Sequence, residues 1–235
     1  MNKNFLTLIL IFLVGIASYA QKTLSQGTVI MEITDVKSSD DQMAMALEMM
    51  KGSQTEINFS DKGHSTKMSM MGGMIEVKTY TNNTTKGFDM LMDMMGNKMW
   101  ITSNLDEMSK DEKAKSTAEN AKITYDKNDT KVIAGYKCYA MNVALPETPE
   151  VSLKGYITQD IKTNANIIQG FQALKFDGFP MEFTMNSDKM SLTMSTKEIK
   201  DSIDASALVA KTDGYTKMTM DEFKAKMGGM GGFGF

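Results

Sequence analysis

Arginine is absent from this 235-residue chain, and all 26 basic side chains are lysine. Arginine is the residue that forks onto phosphate oxygens and guanine edges. Its absence, with a formal net charge of −3, excludes a nucleic-acid-binding surface of the usual kind and a strongly anionic membrane partner. Histidine and cysteine occur once each, as His64 and Cys138. A single cysteine allows no internal disulfide, and the supply falls short of the three or four ligands a zinc site needs. A Cys138–His64 pair is the one nucleophile–base combination on offer, and nothing in the sequence brings the two together. No phosphate-cradling glycine pattern follows a strand. Asp89 and Asp93 would share one face of a strand at roughly 13 Å, too far apart for joint acid–base work. Neither an enzyme nor a cofactor is expected.

Apolar runs are scarce beyond the start. "MNKNFLTLILIFLVGIASYA" has a basic first segment at Lys3, an apolar stretch from Phe5 to Ile16, and small residues at Ser18 and Ala20. That is the pattern of a secretory signal peptide over 1–20, with cleavage before Gln21. No transmembrane segment is expected after cleavage, because a span needs roughly 20 apolar residues. The mature chain carries 25 lysines against 29 acidic residues. Its length suits a single domain over 21–227, with a glycine-rich tail, "GGMGGFGF", over 228–235. The expected location is the periplasm or the outer-membrane-facing side of an envelope, in soluble form.

What the chain does have is methionine, 25 in all, set in short runs of period-two alternation divided by turn signals. Val29, Met31 and Ile33 alternate with polar residues. "SSDDQMAMALEMMKG" carries Met43, Ala46, Leu47 and Met50 at helical spacing, with Ser39 or Asp40 as cap and Gly52 as stop. "QTEINFSDKGHSTKMSMM" reads as a hairpin with His64 in its turn. "GFDMLMDMMGNKMW" allows a helix pairing Met90 and Leu91 with Met94 and Met95, but the turn signals on both sides favour a second hairpin turning at Gly96-Asn97, with Phe88, Met90, Met92 and Met94 on one face. Further on, Tyr139, Met141, Val143 and Leu145 share a face. Met181, Phe183 and Met185 pair with Met190, Leu192 and Met194 in a last hairpin. "TNANIIQGFQAL" predicts a helix through Ile167, Phe171 and Leu174, and Thr219–Glu222 is a capping box opening another. Eight to eleven antiparallel strands in meander order result. The fold class is mainly β (α+β): a single strongly curved antiparallel sheet, a half-barrel, with two or three covering helices.

"KVIAGYKCYAMNV", from Lys131 to Val143, resembles the I-x-GYKC signature of a family of exported bacterial proteins known as a domain of unknown function. "GYITQDI" (155–161) and "DGFPMEFTM" (177–185) resemble its later landmarks. The closing "DGYTKMTMDEF" resembles its P-x-GY ending, with Thr212 and Asp213 where a proline is usual. The family is similar to the GLPGLI proteins and distantly to outer-membrane lipoprotein carriers. That resemblance implies a half-barrel whose concave apolar face is covered by helices and holds lipid chains.

Methionine packs irregular cores, lines adaptable apolar pockets and offers soft thioether ligands. Core packing accounts for the alternation with the least further assumption. As a pocket for an apolar ligand such as a lipid or acyl chain, the candidate liners are Met90, Met92, Met94, Met141, Met181, Phe183, Met185, Met190, Leu192 and Met194. As a Cu(I) site, the candidates are Met68, Met70 and Met71. A structural or interaction protein of the envelope, using the "GGFGF" tail, is the third reading.

Overall fold

The computed structural model describes residues 23–108, 116, 119–163 and 174–228. The signal-peptide segment, most of the helix expected around Ile167 and Phe171, and the tail from 229 onward lie outside the described residues. So does most of the charged stretch from Lys110 to Thr117.

Two meanders share one sheet. The first is β1 (Gly27–Ser38), β2 (Gln54–Ser60), β3 (Gly63–Met70), β4 (Ile75–Asn82), β5 (Gly87–Met94) and β6 (Asn97–Asn104). The second is β7 (Lys122–Ile133), β8 (Tyr136–Ala144), β9 (Ser152–Thr158), β10 (Phe179–Asn186) and β11 (Met190–Lys200). A last strand, β12 (Thr216–Met218), joins at the β6 edge. The spatial order is β12-β6-β5-β4-β3-β2-β1-β11-β10-β9-β8-β7, so the sheet is open and mainly β as expected. It departs from the expected meander in two places. β1 pairs with β11 in addition to β2, which welds the two meanders. β12 runs parallel to β6, placing Thr216 beside Met99 and Met218 beside Ile101. Among the described residues the strands number twelve, one above the expected range, because three-residue β12 is too short to show a period.

Side-chain alternation sorts the sheet into two faces. On one, Val29, Met31, Ile33, Ile57, Met141, Leu153, Met181 and Phe183 form the main core. Helix α1 (Asp41–Glu48) lies on this face, with Leu47 buried and the Asp40 carboxylate accepting from the Met43 N–H at 2.9 Å. Of the two candidate caps, Asp40 is the one used. Short helix α2 (Leu105–Met108) follows β6. Helix α3 (Met220–Gly228) opens with the expected capping box. The Thr219 N–H donates to Glu222 Oε2 at 2.7 Å, and the Glu222 N–H donates to Thr219 Oγ1 at 3.2 Å.

The opposite face carries Glu76, Lys78, Asp93 and Lys98, yet it is not simply solvated. After β11 the chain crosses it as a strap. Ser202 O accepts from Thr28 Oγ1 at 3.3 Å, and Ala207 O accepts from Ser65 Oγ at 2.7 Å. The Lys98 ammonium sits 5.6 Å from the Tyr215 ring centre, and Lys217 sits 4.6 Å from that of Trp100. Thr28, Asn58, Ser65 and Leu91 are buried on this face, which is how polar residues of the first meander come to be enclosed.

Two expected turns are corrected. The β5–β6 turn is Met95-Gly96, with φ of 54° and 88°, because the hydrogen-bonded ladder runs from Met94 to Asn97. Both turn residues are then left-handed, as a tight hairpin matching strand twist requires. His64 lies inside β3, not in the turn, paired with Phe59 and Thr81. Its neighbour Gly63 is the first residue of that strand.

Candidate functional site: the methionine-lined helix face

The register aligns residues across the first meander in rows. One row on the helix face runs Met31, Thr55, Met68, Val77, Met92, Met99. The next runs Val29, Ile57, Thr66, Thr79, Met90, Ile101. Between the apolar ends stands a polar seam, where the hydroxyls of Thr66 and Thr79 hydrogen-bond at 2.7 Å. The seam divides the face into the main core under α1 and a second cluster under α3. That second cluster consists of Met92, Met99, Ile101 and Phe223, with Val77, Met90, Met94, Met218 and Met220 half-buried around it.

The ten pocket candidates therefore fall into two groups. Met141, Met181, Phe183, Leu192 and Met194 are buried in the main core, with Met185 and Met190 at its margin. Met90, Met92 and Met94 sit apart, in the cluster under α3. Sequence reasoning left out Val77, Met99, Ile101, Met218 and Phe223. Alternation in "KMWITS" marks Met99 and Ile101, and the capping box marks the helix that carries Phe223. No local pattern brings Phe223 onto β5 and β6, because the strap delivers it. Of the Cu(I) candidates, Met68 and Met70 stand on the helix face of β3. Met71 opens a 3-10 turn over Met71–Gly73 with φ of 52°.

The two ends of the sheet differ in chemistry. At one end, a cavity of about 450 Å³ opens among Ser60, Asp61, His64, Asn83, Gln159 and Asp177. None of the ten candidates lines it. Burial pushes the His64 imidazole down to about 4, so it is neutral at physiological pH. Asp177 is engaged: its carboxylate accepts from Gln159 Nε2 at 2.9 Å and from the Tyr139 hydroxyl at 3.3 Å. The other end holds α1, the β3–β4 turn and the β5–β6 turn, all rich in methionine.

Cys138 is buried, and burial pushes its thiol up to about 11. It is on β8 and His64 is on β3, six strands away in the sheet order. The two form no dyad. Asp89 accepts a hydrogen bond from Trp100 Nε1 at 2.7 Å, and Asp93 pairs with Lys98 at 3.9 Å, which assigns both aspartates structural partners. Among the described residues, no group of three or more His, Cys, Asp or Glu side chains is placed to hold a metal. No described helix is long and apolar enough to cross a membrane.

No known family model and no curated protein matches the sequence. Solved structures with a similar course of chain include the lipoprotein LppX of Mycobacterium tuberculosis, 8% identical, covering 77% of this chain and 89% of that one at a TM-score of 0.38. MucB is 11% identical, covering 83% of this chain and 60% of that one, also at 0.38. A putative outer membrane lipoprotein-sorting protein domain from Vibrio parahaemolyticus is 7% identical, covering 78% and 89%, at 0.33. At such scores the likeness lies in the general run of the strands and extends to no individual side chain.

Proposed function

We propose that this is an exported, non-enzymatic envelope protein that binds an apolar ligand, a lipid or acyl chain, against the helix face of β4, β5 and β6. The observation that carries the reading is the second cluster. Phe223 of α3 is buried on a floor built largely of thioethers, with Met220 half-buried against the same floor. A nine-residue helix seated on such flexible side chains can lift at small cost. Methionine floors re-pack around varied apolar shapes because three side-chain torsions are free. Half-buried Met90, Met94 and Val77 extend the floor beyond the anchor. The buried candidates of the main core, Met141 and Met181 above all, are filled space, and their role is to hold the sheet. The leader-like first twenty residues support export. The resemblance to carrier-like half-barrels points the same way.

The test is native mass spectrometry of the chain from Gln21 onward, purified from a periplasm, combined with titration of a fluorescent fatty acid. The expected result is a co-purifying mass of several hundred daltons and saturable probe binding. Met90→Leu should keep binding, since volume and apolarity persist. Met94→Asp should abolish it while the fold survives at that half-buried position. A bare protein mass together with no probe binding overturns the proposal.

A further inference from the structure

Seven large hydrophobic side chains stand exposed among the described residues, and four of them are methionines at one end of the sheet. Met95 is 83% exposed and Met74 is 48% exposed. Neither packs a core. At Met95 the backbone setting is also costly. Of the four non-glycine residues with positive φ among the described residues, two are Met71 and Met95, at positions where glycine or asparagine serves better. A side chain that contributes no burial and disfavours its own turn breaks local rules twice. Such violations collect at functional sites.

The three methionines of these adjacent turns are brought together by the backbone. The β4–β5 ladder pairs Ile75 with Met94 and continues one step further, where the Met95 N–H donates to Met74 O at 2.9 Å. That hydrogen bond sets the two residues side by side, although neither has strand geometry. The Met74 N–H also donates to Met71 O at 3.4 Å, closing a turn through left-handed Gly72 and Gly73 so that Met71 and Met74 stand at its two ends. Three flexible thioethers therefore stand at one corner, those of Met74 and Met95 exposed and that of Met71 half-buried. Asp93 beside them is already used by its own turn, accepting from the Gly96 N–H at 2.9 Å.

We propose that Met71, Met74 and Met95 form a surface site for a soft monovalent metal ion, Cu(I) or Ag(I). Neutral thioethers suit such ions and offer little to hard or borderline ones. They carry no proton to displace, so affinity is independent of pH between about 5 and 7.5, unlike a site built on histidine or thiolate. The site is separate from the floor under α3 and does not depend on the apolar-ligand reading.

The test titrates the full mature chain with Cu(I) delivered from its bicinchoninate complex, under ascorbate and without oxygen. One equivalent should transfer to the protein, with the same affinity at pH 5.5 and 7.5. Met74→Leu/Met95→Leu should weaken binding by more than about 100-fold, the upper range for changes that only touch a ligand's surroundings. Met45→Leu/Met49→Leu, at the exposed methionines of α1 and its C-cap, should leave it unchanged. Leucine preserves volume, and thermal unfolding checks that both variants fold. The proposal is overturned if the protein takes no copper, if Met74→Leu/Met95→Leu retains it, or if both variants lose it alike.

Discussion

Acidification should destabilise this protein through one residue. His64 is the only histidine, and burial holds its folded-state value at about 4 against 6.5 for a free imidazole. Above pH 6.5 the ring is neutral in both the folded and unfolded chains, and its setting costs nothing. Between 6.5 and about 4 the unfolded chain takes up a proton that the folded chain refuses, so stability falls as pH falls. One pKa unit corresponds to about 1.4 kcal/mol, so the whole swing is at most about 3.5 kcal/mol, a large part of a typical folding free energy. Carboxylates act lower down. Asp204 and Glu222 are held below the usual range by the backbone N–H groups of Ser206 and Thr219. Their stabilising contributions are lost as pH drops further, in any variant that keeps them. The assay is urea unfolding of the wild type and His64→Gln at pH 7.5 and 4.5. Wild type should lose about 2 kcal/mol more than the variant over that interval. The lone imidazole proton resonance should stay unshifted down to pH 5. Parallel losses in the two proteins, or a resonance titrating near 6.5, refute the reasoning.

Further outcomes follow from single positions. Met95→Asn should stabilise the fold by about 0.5–1 kcal/mol, read as a higher urea midpoint, because asparagine accepts the left-handed turn that methionine resists. Gly155→Ala should destabilise by about 3 kcal/mol or more. Its Cβ would press on the carbonyl oxygen of Glu182 and lie 2.8 Å from the Phe183 Cα, both in the backbone of β10; an unchanged melting temperature would refute this. Cys138 should resist thiol reagents at pH 8 in the folded protein and react on unfolding, since it is fully buried and its thiol is held near 11. Rapid stoichiometric labelling of the native chain would contradict that.

Period-two alternation made most of the sheet legible. Val29, Met31 and Ile33, the Tyr139 to Leu145 run and the Met181 and Met190 strands all face the core they were expected to face. The caps of α1 and α3 were readable too, because an Asp or a Thr-x-x-Glu spacing satisfies its N–H groups locally. What escaped was non-local. β12 has three residues and no period, and its pairing with β6 depends on a strap that starts more than ninety residues after that strand ends. The strap also buries Leu91 and Ser65 on a face that alternation marks as solvent. His64 looked like a turn residue because Gly63 precedes it. The ladder instead extends to Gly63, which opens β3 opposite Ser60 and Asn82. The candidate floor was half legible for the same reason: Met90, Met92 and Met94 announce one wall, and Phe223 arrives from the far end of the chain.

The hairpin from Gly87 to Trp100 shows why composition alone could not assign the methionines. Met92 and Met99 are buried under α3, Met90 and Met94 are half-buried beside them, and Met95 stands in solvent. Identical side chains within ten residues serve different ends because different segments cover them. Core packing accounts for Met31 and Met181, which are fully buried. An adaptable floor accounts for the group around Phe223. Neither accounts for Met95, where asparagine would fold better and where nothing is buried. If Met95→Asn both raises stability and abolishes Cu(I) uptake, the residue is held there by its sulfur and not by the fold, since stability and function then pull in opposite directions at one position.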